Sequence, residues 1–214
     1  MRRRNVTPHW GAIPLRYPPE HKAATRDRIL DAAAQRFREG GPSAVQIPRC
    51  MADVGLSHGG FYHHFESKDE FISETLSRIW TQSRGVAGLA GTAAEPALAL
   101  SQFLDRYLSI TQCERSRGAC LLPIALPEVD NLPARAGEVV RTAVSQLTGQ
   151  IQGLLTELGA EDPESAAALL VAELIGIITF ARAQSPSKQG ALLSAARRQL
   201  RDALGLPSGE RPDR

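Results

Sequence analysis

The residues of this chain best suited to chemistry are concentrated between Gln46 and Phe65. The string Gly55-Leu56-Ser57-His58-Gly59 matches G-x-S-x-G, the turn that presents the nucleophilic serine of many hydrolases. That turn requires a strand before it and a parallel sheet around it. A helical pattern precedes Gly55, and no segment shows the alternation of a strand. We therefore predict that the chain is not an enzyme, and a serine hydrolase using Ser57 stands as an alternative.

The three cysteines, Cys50, Cys113 and Cys120, offer a second kind of chemistry. Their odd number and wide spacing argue against a disulfide framework and for reduced thiols in the cytoplasm. Arg115 and Arg117 lie between the last two, and neighbouring cations lower the pKa of a thiol. A redox- or electrophile-sensing repressor that uses Cys113 and Cys120 is thus a second alternative.

Metal chemistry has little support in the pattern. His63 and His64 are adjacent, so on a helix they project about 100° apart. The cysteines lack the paired C-x-x-C spacing of a zinc site. We predict no metal and no cofactor.

The residues around Gly55 favour two short helices joined by a tight turn. An apolar-periodic helix runs to Val54, and Gly55 can adopt the positive φ of a sharp turn. Ser57 is placed to cap the second helix. This arrangement is a helix-turn-helix, whose second helix enters the major groove of DNA. The pattern therefore predicts a DNA-binding regulator.

The charge is unevenly distributed. Residues 1–68 contain eleven Lys/Arg, six Asp/Glu and all five histidines, a net charge of +5, whereas the remainder has fourteen Lys/Arg and seventeen Asp/Glu, a net charge of −3. A basic N-terminal part on a mildly acidic body suits a protein whose head binds duplex DNA.

The elements that position these residues are predicted to be helices throughout, and the fold class is all-α. Residues 1–20, which are rich in proline, are expected to be a flexible arm, and residues 206–214 a disordered tail. A helix capped by Thr25 runs to about Glu39, and a long one begins at the capping box of Ser67 and Glu70. Further helices are expected over about 96–111, 134–158, 163–183 and 187–204, with short or kinked helix over 118–133. No apolar run approaches 18 residues and no secretory signal is evident, so we expect a cytoplasmic protein without a membrane partner.

From His21 to about Ile79 the sequence resembles the TetR family of transcriptional regulators. The matching residues are Thr25 to Ala34, Phe37, Gly40 and Gly41, then Met51-Ala52, the run from Gly55 to Phe65, and Ser67-Lys68. The resemblance implies a three-helix DNA-binding domain over residues 21–66 and a helical ligand-binding and dimerisation domain over 67–205. It also implies a repressor that binds a near-palindromic operator as a homodimer and is released by a small effector.

The resemblance assigns the DNA contacts position by position. The helix from Ser57 to His63 corresponds to the recognition helix, and Gly59 and Gly60 leave base readout to His58 and Tyr62. His64 and Lys68 match phosphate-gripping positions, and Thr25 and Arg26 match positions where the first helix meets the DNA backbone. The full set of expected DNA contacts is Thr25, Arg26, Arg49, Ser57, His58, Gly59, Gly60, Tyr62, His63, His64 and Lys68.

The body is expected to bind an apolar or aromatic effector and to form the dimer. The expected lining of the effector pocket is Trp80, Phe103, Tyr107, Leu121, Leu122, Val144 and Leu147. The expected dimer contacts are Leu174, Ile177, Ile178, Phe180, Leu192, Leu193, Leu200 and Leu204, on the last two helices.

Overall fold

A computed structural model describes residues 19–83, 95–114 and 119–207, and every regular element in these ranges is a helix. The α-helices are α1 (Pro19–Gly40), α2 (Ile47–Asp53), α3 (Lys68–Gln82), α4 (Pro96–Tyr107), α5 (Ile110–Cys113), α6 (Leu122–Ala125), α7 (Ala134–Glu157), α8 (Pro163–Arg182) and α9 (Pro186–Leu204). Three 3₁₀-helices cover Pro42–Ala44, His58–His63 and Leu126–Asn131. The predicted all-α class and the broken helix between α5 and α7 are confirmed.

Helix α1 begins six residues earlier than the sequence pattern predicted. Pro19 and Glu20 form its first turn. A proline there costs no hydrogen bond, because the first N–H groups of a helix have no intrahelical partner, and the negative charge of Glu20 interacts favourably with the helix dipole. The prediction that Thr25 caps this helix is therefore wrong, because Thr25 lies inside α1 and is only 6% exposed. Most of the predicted arm and tail, residues 1–18 and 208–214, lies outside the described residues.

The core of the head is built on an apolar stripe of α1 with i, i+4, i+8 spacing. Ile29, Ala33 and Phe37 are fully buried, and they pack with residues of α2 and α3 such as Met51 and Phe71. This packing holds α1, α2 and α3 together and leaves the turn after α2 at the surface.

The N-terminus of α3 forms the predicted capping box with one difference. The Glu70 backbone N–H donates to Ser67 Oγ at 3.0 Å, as expected. The Glu70 carboxylate accepts from the backbone N–H of Glu66 at 2.5 Å, one residue before the usual partner. This hydrogen bond, followed by the charge of Arg26, lowers the pKa of Glu70.

Helix α3 joins the head to the body. On one side, Arg78 binds both Asp27 and Asp31 of α1 at 2.8 Å. Gln82 donates to Asp31 at 2.7 Å and accepts from Arg38 at 2.8 Å, which extends the same clamp. On its other side α3 packs on α7, so it contacts the head and the body at once.

Helix α8 is the most apolar element. Asp162 caps its N-terminus, because Asp162 Oδ1 accepts from the Ser165 backbone N–H at 3.1 Å, and Pro163 holds the first helical position. By length and composition alone α8 could span a membrane, with a mean hydropathy of 1.8 over 18 residues. The sequence analysis did not identify α8 as a possible membrane span, because it considered only uninterrupted apolar runs. One third of that window is buried in the protomer, mostly against α7, and Leu169 and Phe180 are exposed.

Candidate DNA-binding surface

The turn after α2 is set by Gly55. Its φ is +75°, a conformation that side chains with a Cβ rarely adopt. The Gly55 N–H donates to Ala52 O at 3.0 Å and the Leu56 N–H donates to Met51 O at 2.9 Å, the two hydrogen bonds of a Schellman motif. The predicted glycine turn is confirmed, and it reverses the chain sharply before His58.

The element that follows is a 3₁₀-helix over His58–His63, shorter and tighter than the predicted helix from Ser57. Ser57 holds the N-cap position with an extended backbone but makes no side-chain capping hydrogen bond, so that part of the prediction is wrong. Gly59 and Gly60 explain the difference, since glycine opposes α-helix and 3₁₀ turns suit short segments. We call His58–His63 the recognition helix.

Aromatic packing fixes the recognition helix on the head. Phe61 is fully buried, and its ring centroid lies 5.2 Å from that of Phe65 and 5.3 Å from that of Phe71. Phe61 and Phe65 are therefore both core residues of the head. Because Phe61 points inward, Tyr62 points outward and is 68% exposed.

Most of the expected DNA-contacting residues lie on the surface of the head. The exposed ones are Arg49 on α2, Lys68 at the N-terminus of α3, and Ser57, His58, Gly59, Tyr62 and His63 on or beside the recognition helix. Gly60 is half-buried, and a Cβ placed there would lie 3.7 Å from Met51 Cε, whereas one at Gly59 would meet open space.

Arg26 has a structural role that the sequence did not reveal. Its Nε donates to the carbonyl of His64 at 3.0 Å, and its guanidinium binds Glu70 at 3.0 Å and also Glu74. The guanidinium also lies 4.7 Å from the centroid of the Phe65 ring. Arg26 therefore ties α1 to α3 and to the end of the recognition helix. The expectation that Thr25 contacts DNA is corrected, because Thr25 is buried. Arg26 keeps 29% of its side chain exposed and stays a predicted contact.

His64 lies at the edge of an open cleft of about 500 Å³ between the start of α1 and the recognition helix. Its Nδ1 is buried and has no hydrogen-bond partner among the described residues. Burial, helped by the charges of Lys22, His63 and Arg26, lowers the pKa of His64. Lys22 lines this cleft and is exposed, and the sequence analysis did not identify it as a candidate.

The alternative chemistries find no support in the geometry. The G-x-S-x-G string follows α2, and residues 19–83, 95–114 and 119–207 contain no strand that could form a hydrolase elbow. The same ranges hold no group of three His, Cys, Asp or Glu able to bind a metal.

The three thiols are buried, and burial raises the pKa of each of them. That of Cys50 rises to about 11, and those of Cys113 and Cys120 also rise. Such thiols stay protonated and poorly nucleophilic at neutral pH, which does not support a thiol sensor. Arg115 and Arg117 lie outside the described residues.

A small cavity in the body brings together part of the expected effector lining. Trp80, Phe103, Tyr107 and Leu147 line it. Leu121 and Leu122 are buried core residues and Val144 is half-buried in the same core, so these three do not line the cavity. Sequence reasoning missed its polar lining because apolar spacing guided the choice; these residues are Ser83, Arg106, Gln112 and Cys120.

The expected dimer residues divide into two groups. Four of them, Leu174, Ile178, Leu193 and Leu200, are at most 5% exposed inside the protomer, so they are corrected to core residues. Phe180 is 61% exposed, and Ile177, Leu192 and Leu204 are half-buried. Leu169, at 70% exposure the most exposed of the large apolar residues, was not among the expected contacts.

A three-helix head with an outward recognition helix, carried on a helical body, defines a helix-turn-helix transcriptional regulator. Residues 29–75 match the profile of the bacterial regulatory proteins of the tetR family. The chain is 34% identical over 58 residues to the transcriptional repressor KstR2 of Mycolicibacterium smegmatis, covering 27% of this chain and 28% of that protein. It is 32% identical over 87 residues to the transcriptional repressor Rv1474c of Mycobacterium tuberculosis, covering 39% and 46%. The chain thus spans less than half the length of these curated relatives.

Solved structures extend the likeness in fold to the body. A TetR transcriptional regulator from Chloroflexus aurantiacus superposes with a TM-score of 0.74 at 23% identity, covering 87% of this chain and 96% of that one. A TetR-family regulator from Agrobacterium tumefaciens gives a TM-score of 0.72 at 19% identity, covering 83% and 98%. Residues 29–75 thus match the DNA-binding domain of the tetR family, and the described helices share the fold of these TetR-family structures.

Proposed function

We propose that this protein is a cytoplasmic, effector-responsive repressor that binds a near-palindromic DNA operator as a homodimer. The observation that carries the proposal is the exposed recognition helix, held from behind by Phe61 and bordered by basic side chains. A helix presented in this way can enter a major groove, while cations on either side bind phosphates.

Base readout is assigned to the exposed side chains of the recognition helix. His58 and Tyr62 carry hydrogen-bonding groups, and Arg49 on α2 is exposed beside them in the helix-turn-helix. Gly59 has no side chain and faces open space, so it allows the DNA to approach the backbone closely.

Phosphate binding is assigned to Lys68, His63 and His64, with Lys22 added from the cleft beside His64. Lys68 is exposed at the first position of α3, where its ammonium group can bind a phosphate. These contacts carry no sequence information and set the salt dependence of binding.

The dimer is assigned to the outward faces of α8 and α9. Leu169, Gly176 and Phe180 are exposed along α8, four to seven residues apart, and so share one side of that helix. Pairing this face with its copy explains the apolar composition of α8 better than a membrane does. Glu173 is exposed seven residues before Phe180, on the same side of the helix, and a charged side chain is unfavourable against lipid. Two heads then meet half-sites about one helical turn apart or a small multiple of it.

The dimer assignment is tested by placing a charge on this face. Phe180→Glu should convert the dimer to a monomer in sedimentation velocity and weaken operator binding, because each head then binds alone. Leu98→Glu, at an apolar residue that is 40% exposed on α4, is the matched control and should stay dimeric. A Phe180→Glu protein that remains dimeric contradicts the assignment.

The repressor function is tested by selecting bound sequences from random duplex DNA at low salt. We expect a near-palindromic motif, a footprint over both half-sites, and loss of enrichment for Tyr62→Ala. Lys68→Ala should weaken binding to all sequences and reduce the slope of affinity against salt by about one phosphate contact. If no motif is enriched, the regulator proposal fails.

A further inference from the structure

A small, partly open cavity lies between the helix that carries the head and the helices of the body. Trp80 of α3, Phe103 and Tyr107 of α4, Gln112 of α5 and Leu147 of α7 form most of its wall. Its volume is about 20 Å³, which is room for roughly a single water molecule. A larger guest therefore requires part of this wall to move.

One polar atom in this wall lacks a proper partner. Tyr107 is 5% exposed, and its Oη finds no oxygen or nitrogen to bond with among the described residues. It faces the Cys120 thiol, a weak hydrogen-bonding group. Burial raises the pKa of Tyr107 well above its ordinary value, so the hydroxyl keeps its proton. A buried hydroxyl of this kind is unfavourable unless something supplies an acceptor.

Trp80 separates this cavity from a surface groove. It also lines an open groove of about 290 Å³ between α3 and α7, together with Ser77, Arg135, Val139 and Gln146. Trp80 Nε1 donates to Gln146 Oε1 at 2.7 Å, which holds the indole in place between the two spaces. Breaking this one hydrogen bond between side chains is the shortest way to join the groove to the cavity.

We propose that the effector is a neutral aromatic molecule with one hydrogen-bond-accepting oxygen, that this oxygen accepts from Tyr107 Oη, and that the molecule enters from the α3–α7 groove when Trp80 leaves Gln146. This inference rests on the proposed function in taking the body as the effector-binding part. It adds the ligand class, the residue that selects it and the access route.

The lining selects an aromatic guest. Trp80, Phe103 and Tyr107 offer three rings, and the Phe103 and Tyr107 centroids lie 5.4 Å apart at an interplanar angle of 49°. Rings packed in this way accept a further ring edge-on or offset.

The lining also selects against charge. Tyr107 and Cys120 are buried and keep their protons, and the nearby Arg106 is an exposed residue. The charge of Arg182 acts on both groups, but its guanidinium already donates to the Gln112 carbonyl. A carboxylate placed against Tyr107 would lose its hydration and would have to compete with that carbonyl for Arg182.

The test uses three probes of matched shape: acetophenone, which has an acceptor oxygen, isopropylbenzene, which has none, and benzoate, which is charged. Isothermal titration of the full chain should show acetophenone binding most tightly. Tyr107→Phe removes only the hydroxyl, and we expect it to weaken acetophenone binding about tenfold while leaving isopropylbenzene unchanged. The melting temperature of Tyr107→Phe without probe should hardly change, since the hydroxyl it removes faces only the weakly hydrogen-bonding thiol of Cys120.

The access route is tested separately by kinetics. In a Trp10→Phe background Trp80 is the remaining tryptophan, so its fluorescence reports acetophenone binding directly. Gln146→Ala should increase the association rate severalfold, because it removes the hydrogen bond that holds the indole. Gln152→Ala, on the same helix but not bonded to Trp80, is the control and should bind at the wild-type rate.

Three results overturn the inference: no binding of acetophenone, equal affinity of wild type and Tyr107→Phe for it, or tighter binding of benzoate. An unchanged association rate in Gln146→Ala overturns the access route. These measurements contain no DNA, so their failure leaves the operator selection intact, and an absent operator motif leaves the binding results standing.

Discussion

Gly59 provides the sharpest test of how the head meets DNA. Its φ is not in the left-handed region, and a Cβ built on it meets no atom within 4 Å. Gly59→Ala is therefore compatible with the free protein and should stabilise it by about 0.4–1 kcal/mol, because alanine has less freedom to lose on folding. If the recognition-helix backbone lies against the groove, the added methyl group must displace DNA. A misfit of one methyl group in a close-packed contact costs about 1–3 kcal/mol, so operator affinity should fall about fivefold to 150-fold.

The assay combines two measurements on the same protein. Urea unfolding followed by circular dichroism gives the free energy of unfolding, and fluorescence anisotropy gives the operator dissociation constant. Gly149→Ala on α7 is the matched control, since its Cβ also meets open space and lies in the body. It should stabilise the protein and leave operator affinity unchanged. A Gly59→Ala protein that is stable and binds the operator as wild type does would refute the close approach at this position.

Three further predictions follow from the contacts of the head and the thiols. Arg26→Met removes the ion pairs with Glu70 and Glu74 and the hydrogen bond to the His64 carbonyl, and at 29% side-chain exposure we expect a loss of about 2 kcal/mol in unfolding free energy. Lys68→Ala is its control and should lower DNA affinity without loss of stability. The pKa of His64 is lower in the folded protein than in the unfolded chain. As the pH falls towards the ordinary histidine pKa, the unfolded chain therefore binds more protons than the folded protein. The free energy of unfolding should consequently decrease from pH 7.5 to 5.5. His64→Gln should flatten that decrease in urea titrations, and an equally steep decrease would contradict it. Finally, iodoacetamide at pH 7.5 should label the native thiols slowly; for Cys50, whose pKa rises from 9.0 to about 11, the thiolate population falls about a hundredfold. If mass spectrometry shows that the native thiols are labelled as fast as those of the unfolded protein, the conclusion that they are unreactive is wrong, and a thiol sensor becomes possible again.

The sequence predicted what depends on local chemistry. Apolar spacing identified the helices of the body, and the turn at Gly55 and the caps at Ser67 and Asp162 follow from residue types a few positions apart. These features depend on neighbours in the chain, so a single sequence contains the information.

The sequence could not predict what depends on distant partners. The structural role of Arg26 was missed because its partner Glu70 is 44 residues away. Leu174 and Leu169 are equally apolar, yet the first is fully buried in the protomer and the second is 70% exposed. Composition marks α8 as a helix with apolar surface, but only packing against α7 decides which side of it faces out.

The clamp between α1 and α3 has a mechanical consequence. Arg78 and Gln82 fasten α3 to Asp31, and Arg26 fastens its other end, so the head and α3 move as one rigid lever. From Trp80 to Lys68 this lever is about 18 Å long, at 1.5 Å per residue. A tilt of about 5° at the Trp80 end therefore displaces the Lys68 end by roughly 1.5 Å, about half the length of a hydrogen bond. In the proposed dimer, the displacements of the two heads would add across the symmetry axis, and a side-chain movement in the body would become a mismatch with the operator half-sites.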